Sequence, residues 1–271
     1  MSLLRLARLA AGALVMAVLG GCATAPPGTA AAPNDPFENW NRKVFAFNDK
    51  VDTAVLKPVA ETYRDNVPKL VRTGVDNVLG NIYDVWSTAN HFLQGKFQSG
   101  LEMGMRVLTN TVFGLGGLLD PASEMGLTRR SEDFGQTLGK WGIGTGPYLV
   151  LPLLGPSTVR DGVGLVIDRQ TAPSTLPDTR AGRYSVMALE LVNTRANLLQ
   201  AGALVDQVAL DKYAFIRDAY LARRRDAQYD GAPPMDTFDD EPADAPASTP
   251  GAAASAPRPA ASAASAASAA K

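Results

Sequence analysis

The chain has 271 residues, with 26 Lys and Arg against 27 Asp and Glu, a single histidine and a single cysteine. So even a charge balance argues against a nucleic-acid binder, which would carry a basic excess or stripe. One cysteine excludes an intrachain disulfide, so any folded body must be held by packing.

Arg5 and Arg8 precede an uncharged stretch that runs into Leu19-Gly20-Gly21-Cys22. The apolar part is about a dozen residues, whereas a helix crossing hydrocarbon needs roughly 20, so residues 1–21 read as a cleaved signal peptide. The small residues at 20 and 21 suit a signal peptidase, and Cys22 is the expected acceptor of a diacylglyceryl thioether and an N-acyl chain. One acyl chain anchors only marginally and two or three anchor stably. Ala23 follows with no acidic residue beside it, which resembles lipoproteins sorted to the outer membrane. Residues 22–34 are short, small and proline-containing, as expected of a tether.

Asp35-Pro36-Phe37-Glu38 places an N-cap type, a proline and a glutamate at the start of a helix. Phe37, Trp40, Val44, Phe47, Val51 and Val55 then form one apolar stripe, which Pro58 is expected to end. A second helix is expected from Pro68 to Gly95, with Val71, Val75, Val78, Ile82, Val85, Ala89 and Phe92 on one face. A third runs over residues 97–113 with Leu101, Met105, Leu108 and Val112. Further helices are expected over 158–170, 183–206 and 211–228. Strand alternation is scarce, so the expected fold is all-α over residues 35–229. From residue 230 to 271 the chain turns to Pro, Ala, Ser and acidic residues, the composition of a disordered tail.

Two stretches interrupt the helices. Residues 112–119 read Val-Phe-Gly-Leu-Gly-Gly-Leu-Leu, and residues 141–159 carry no charge between Lys140 and Arg160. The second is long enough for a membrane span, but its glycines and prolines would break one. Broken backbone at membrane depth is tolerated where it is buried in protein or lines a cavity. One reading makes both stretches buried loops filling the core; the other makes them a surface that meets lipid. An N-terminal lipid anchor favours the second, because it holds the body at a bilayer.

Convergent reactive groups are scarce. Asp84, Ser87 and His91 share a face of the second helix and imitate a triad by residue type, but a working triad gathers its members from separate segments. A polar cluster is the better reading. There is no Gly-x-Ser-x-Gly elbow and no His-Glu-x-x-His pattern, and Gly142, Gly144 and Gly146 lead straight into Pro147 without a Gly-Lys-Ser. No catalytic residue and no metal site are expected, and no cofactor beyond the lipid on Cys22. Arg223-Arg224-Arg225 reads as a solvated helix end that favours the dipole, with contact to anionic headgroups as the other reading.

In this context the segments 35–38 and 41–49 (Asn-Arg-Lys-Val-Phe-Ala-Phe-Asn-Asp) resemble the opening signature of the VacJ/MlaA family of outer-membrane phospholipid-transport lipoproteins. Phe92-Leu93-Gln94-Gly95, residues 114–120, the run 134–148 continued by 151–158 with Arg160-Asp161, and Thr194-Arg195-Ala196 with Arg217 to Tyr220 resemble it as well, in order. Lys212 and Gln200 depart from the pattern locally. The resemblance implies a ring-like helical body with an amphipathic channel, lying in the inner leaflet of the outer membrane and facing the periplasm. It also implies trimeric porins and a soluble periplasmic phospholipid carrier as partners. The lipid lining is then expected from Phe113, Gly114, Leu115, Gly116, Gly117, Leu118 and Leu119, and from Phe134, Trp141, Gly144, Gly146, Pro147, Tyr148, Leu151, Leu153 and Leu154. Headgroup contacts are expected at Asp120, Arg160 and Asp161. Two other readings compete: a porin-associated adaptor that moves no lipid, and a phospholipase acting through Ser87 and His91.

Overall fold

The computed structural model describes residues 35–234. The signal peptide, Cys22, the tether and the tail beyond residue 234 lie outside the described residues. Ten α-helices are described: α1 (Glu38–Val51), α2 (Lys57–Asn66), α3 (Lys69–Leu93), α4 (Phe97–Val112), α5 (Pro121–Glu124), α6 (Phe134–Lys140), α7 (Val159–Asp168), α8 (Arg180–Asn197), α9 (Leu199–Val208) and α10 (Lys212–Gln228). A π-helical turn (Asp52–Leu56), a 3-10 turn (Pro173–Thr175) and two short strands, β1 (Tyr148–Leu151) and β2 (Gly155–Thr158), complete the described elements. Among the described residues no helix is long and apolar enough to cross a membrane.

The packing runs in a closed circuit. The α3 helix touches α6, α6 touches α7, α7 touches β2, and β1 touches α1; the chain continues through the π turn to α2, which packs on α8, and α8 returns to α3. Outside that circuit α4 lies along α3, α9 on α2 and α8, and α10 on α6 and β2.

Several expected boundaries are corrected. Asp35 does not cap α1: Phe37 holds that position without a side-chain bond. Asp35 is instead fully buried, where it accepts from Asn41 Nδ2 at 2.8 Å and from the Tyr213 hydroxyl and pairs with Arg217. Strong side-chain donors, one of them charged, outweigh the backbone amide a cap would have served. Pro58 does not end the first helix either. The Lys57 amide bonds to the Asp52 carbonyl five residues back, so the chain widens into a π turn just before Pro58 and re-enters α2 with the proline in its first turn. Arg195 grips Asp52 with bonds of 2.6 and 2.7 Å at that widening. The helix ends only at Asn66, where Val67 turns extended ahead of Pro68. The single helix expected over 183–206 is two, α8 and α9, parted at Leu198.

The hairpin was not expected. β1 and β2 are antiparallel, with Tyr148 opposite Thr158 and Leu151 opposite Gly155. Its outer edge is satisfied by two side chains seven residues apart on α1. Asn41 accepts from the Val150 amide at 2.8 Å and donates to the Tyr148 carbonyl at 3.1 Å. Asn48 donates to the Leu151 carbonyl and accepts from the Leu153 amide. Two helical turns bring both amides to one face, where they stand in for a third strand. Close contact also sets α6 against α7: a Cβ at Gly164 would lie 2.5 Å from the Gly135 amide nitrogen.

Candidate lipid-contacting surface

The distribution of polarity is the first property of the site. The stripe on α4 that the sequence marks as apolar (Leu101, Met105, Leu108, Val112) is the exposed face, with 64, 55, 59 and 66% of each residue's surface accessible. The face turned inward carries Gly100, Met103, Arg106, Thr109 and Asn110. On α3 the same holds: Asn81, Asp84, Ser87, Asn90 and His91 are buried, whereas Leu70, Val71, Val85, Phe92 and Leu93 are exposed. A helix of a water-soluble domain turns its apolar stripe inward. These two do the reverse, and contiguous exposed apolar surface of this kind marks contact with a membrane, a ligand or another protein.

Many of the inward polar groups are hydrogen-bonded to one another or to backbone, although Asn81 Oδ1, Asp84 Oδ2, His91 Nδ1 and Arg106 Nε have no hydrogen-bond partner among the described residues. Arg106 bonds to Asp120, to the Ser123 hydroxyl and to the Leu127 carbonyl, and Arg129 reaches Asp84 at 2.8 Å. Gln94 bridges Glu132 and Thr137, and Asn90 accepts from Thr137. Around α10, Arg224 forks onto both Asp133 and Asp161, and Tyr220 donates to Asp161 at 2.9 Å. Burial opposes the ionised form of Asp133 and of Asp161, but the bonds and charge of Arg224 outweigh it and hold both pKa values below the ordinary carboxylate range. At Asp120 burial is likewise outweighed, by Ser123, Asn110 and Arg106, and the pKa falls to about 2. Asp168 goes the other way: burial outweighs the bonds from Trp86 and the Phe134 amide and raises its pKa.

Within that frame the expected lining residues fall into two patches. In the first, Phe113 and Leu115 stand exposed beyond the end of α4, while Gly114 and Gly117 are buried. Leu115, Gly116 and Gly117 are consecutive left-handed residues with φ of 55, 73 and 93°, so the loop curls back on α3 and sets Gly117 against Asn81. This geometry is strained for Leu115 and free for glycine. Leu118 and Leu119 follow, half exposed beside α3. In the second patch Leu153 and Leu154 are exposed at the hairpin tip, Leu151 is half-buried and Tyr148 is fully buried among Val44, Val150 and Tyr213. Gly144 and Gly146 are exposed and Pro147 half-buried in the approach to β1. Phe134 is half-buried between Trp86, at 6.4 Å, and the exposed Trp141, at 5.8 Å, whose Nε1 donates to the Leu93 carbonyl.

The three expected headgroup residues are committed within the fold. Asp120 caps α5 and pairs with Arg106. Arg160 and Asp161 are buried, Arg160 bonding to Asp161 and Gln228. Of the triad look-alike, the Ser87 hydroxyl donates to the Arg130 carbonyl at 3.0 Å, and His91 Nε2 sits at the same distance from that same oxygen. Each hydrogen bond is spent on holding the segment after α5 against α3 rather than on the other side chain, whereas a nucleophile must be bonded to its base. Arg224, expected at a solvated helix end, is buried instead, because Asp133 and Asp161 pair with it. The sequence also carried no sign of Asn41 and Asn48 as the hairpin's supports beyond their seven-residue spacing, nor of Arg106 and Asp133 as centres of the polar seams.

The MlaA lipoprotein family model matches residues 33–227. The intermembrane phospholipid transport system lipoprotein MlaA of Shigella flexneri is 38% identical over 221 residues, covering 80% of this chain and 86% of that protein. Its namesake in Escherichia coli (strain K12) is 37% identical over 228 residues, with the same shares. A solved structure described as the structural basis for maintenance of bacterial outer membrane lipid asymmetry matches with a TM-score of 0.63 and 36% identity, over 72% of this chain and 98% of that one.

Proposed function

The chain belongs to the MlaA lipoprotein family, and on that premise we propose that it withdraws phospholipids misplaced in the outer leaflet of the outer membrane, so keeping that membrane asymmetric. The reversed polarity of α3 and α4 carries this reading, because an apolar exterior around a hydrogen-bonded polar interior is economical only where hydrocarbon lies outside. In this reading the body is anchored through lipid on Cys22 in the inner leaflet, surrounds an amphipathic passage along the circuit of packed elements, rests against trimeric porins and delivers its lipid to a soluble periplasmic carrier.

The energetics require shielding. A two-chain lipid has on the order of 30 methylenes at about 0.8 kcal/mol each, so exposing its chains to water would cost above ~20 kcal/mol. The 113–119 loop and the hairpin tip, with Phe134 and Trp141, supply the apolar contacts that keep the chains covered. The protein uses no reaction of its own for this; it supplies a surface, and the driving energy comes from elsewhere in the pathway.

Leu118→Asp and Leu151→Asp in the full lipoprotein test the reading. Each is expected to raise outer-leaflet phospholipid and weaken the permeability barrier while the protein stays at its normal level. Normal surface lipid with the variant protein present would place the lining elsewhere. Purified wild-type protein that carries porin but no phospholipid in native mass spectrometry would favour the adaptor reading.

A further inference from the structure

Beside the 113–119 loop lies a groove of about 520 Å³, formed where the first half of α3, the end of that loop and α8 meet. Leu70, Val71, Val75, Val78, Leu118 and Leu189 make its walls. No charged side chain lines it, and of its two polar neighbours Asn77 is already spent, its Nδ2 donating to the Leu118 carbonyl at 3.0 Å. The loop is a fixed wall, because that bond and the three left-handed residues before it determine where Leu118 stands. The floor is fixed too: a Cβ at Gly74 would lie 2.7 Å from Leu118 Cδ1, so the glycine lets the leucine settle onto α3.

We propose that this groove binds one fatty acyl chain of a diacyl phospholipid, with the headgroup left outside. The inference rests on the reading of the protein as a phospholipid carrier and adds a chain-binding site that shares no lining residue with the hairpin. Two observations select the occupant. The walls offer almost no hydrogen-bonding partner, so a peptide entering in an extended form would leave its backbone groups unpaired, whereas a polymethylene chain has none to satisfy. The groove also opens among exposed Leu70, Val71 and Leu119, continuous with the apolar exterior of α3, so a chain enters from a bilayer without crossing water. Its volume lies within the range of pockets that hold one small ligand.

The experiment places the full lipoprotein in vesicles of phosphatidylethanolamine and phosphatidylglycerol. A trace of phosphatidylethanolamine carries a photoactivatable diazirine midway along one acyl chain, and labelled residues are mapped after irradiation. Labelling is expected at Val75, Val78, Leu118 or Leu189. Val75→Trp and Leu189→Trp, which fill the groove from opposite walls, should each lower that labelling at least fivefold and leave labelling of Leu101 and Leu108 on α4 unchanged. Label on α4 and the hairpin tip but not in the groove overturns the proposal and leaves the carrier reading standing, as does groove labelling that neither tryptophan reduces. The protein's own anchor carries no diazirine, so a groove filled by the lipid expected on Cys22 reads as unlabelled and also overturns it. Label nowhere on the protein sinks the carrier reading as well.

Discussion

The hairpin end of the molecule and the α3–α4 end are stabilised in opposite ways. Around the hairpin, Val44, Tyr148, Val150 and Tyr213 form an apolar cluster with Phe45, Tyr220 and Leu221 packed against it, as in a water-soluble domain. Along α3 and α4 the buried side chains are Asn81, Asp84, Asn90, Arg106 and Asn110, and the leucines, valines and phenylalanines point away. The first end gains stability from removing apolar surface from water, with the buried Asp35 and Asn41 bonded around that cluster. The second depends on a polar seam whose members are costly when unpaired, and its exposed apolar face is of the kind that marks contact with a membrane, a ligand or another protein.

The sharpest way to break that contrast is Arg106→Ala. It leaves Asp120 without its charged partner and Asp84 with Arg129 alone, and is expected to cost about 3–5 kcal/mol, read as the loss of melting temperature in detergent. A loss below about 1 kcal/mol would mean the seam contributes little. In the hairpin cluster Val150→Ala should cost about 1.5–3 kcal/mol, the ordinary penalty for an emptied apolar site. Acid sharpens the comparison further. Asp120, Asp133 and Asp161 have folded pKa values below the usual value of about 3.9, so their stabilisation is complete above that pH and is lost as pH falls below it, down to about 2 for Asp120. Asp168 and Glu190 are shifted upward and act in the opposite sense, binding protons in the folded state first, so that mild acid adds stability. The melting temperature should therefore hold or rise slightly from pH 7 to about 4.5 and drop below about 4; a flat profile to pH 2.5 would contradict the pairing. The smallest effect on stability is expected from Leu108→Ser on the outer face of α4, within about 0.5 kcal/mol in detergent. The same change should weaken binding to phospholipid vesicles, measured by flotation. Unchanged flotation for Leu101→Ser and Leu108→Ser together would remove α4 from the lipid-facing surface.

Much of the helical body is legible because its stripes are long. Seven apolar positions over 25 residues leave little alternative for α3, and Pro68 and Gly95 mark its ends. The hairpin is not legible because each strand has four residues, and Leu149 and Leu151 on the second face erase the alternation that Tyr148 and Val150 would otherwise display. Asp35 misleads in another way: it stands where a cap would be, but its partners Tyr213 and Arg217 are 178 and 182 residues downstream and carry no local trace. The two apolar stretches from which a lining is expected were legible as stretches, but the partners of Asp120, Arg160 and Asp161 were not, because a buried arginine beside an aspartate has the same letters whether it serves a structural ion pair or a ligand.

By itself the sequence determined that the body is helical, where most helices lie, that two uncharged Gly/Pro-rich stretches interrupt them, and which family the chain resembles. Only the tertiary structure decided which face of each helix is inside. Periodicity records that polar and apolar residues segregate around an axis, but the axis can be rotated half a turn without altering the pattern. The direction is set by what the opposite face meets, and for α3 and α4 that is a set of hydrogen-bonding partners, Glu132, Thr137, Asp120 and the Arg130 carbonyl, brought from elsewhere in the chain.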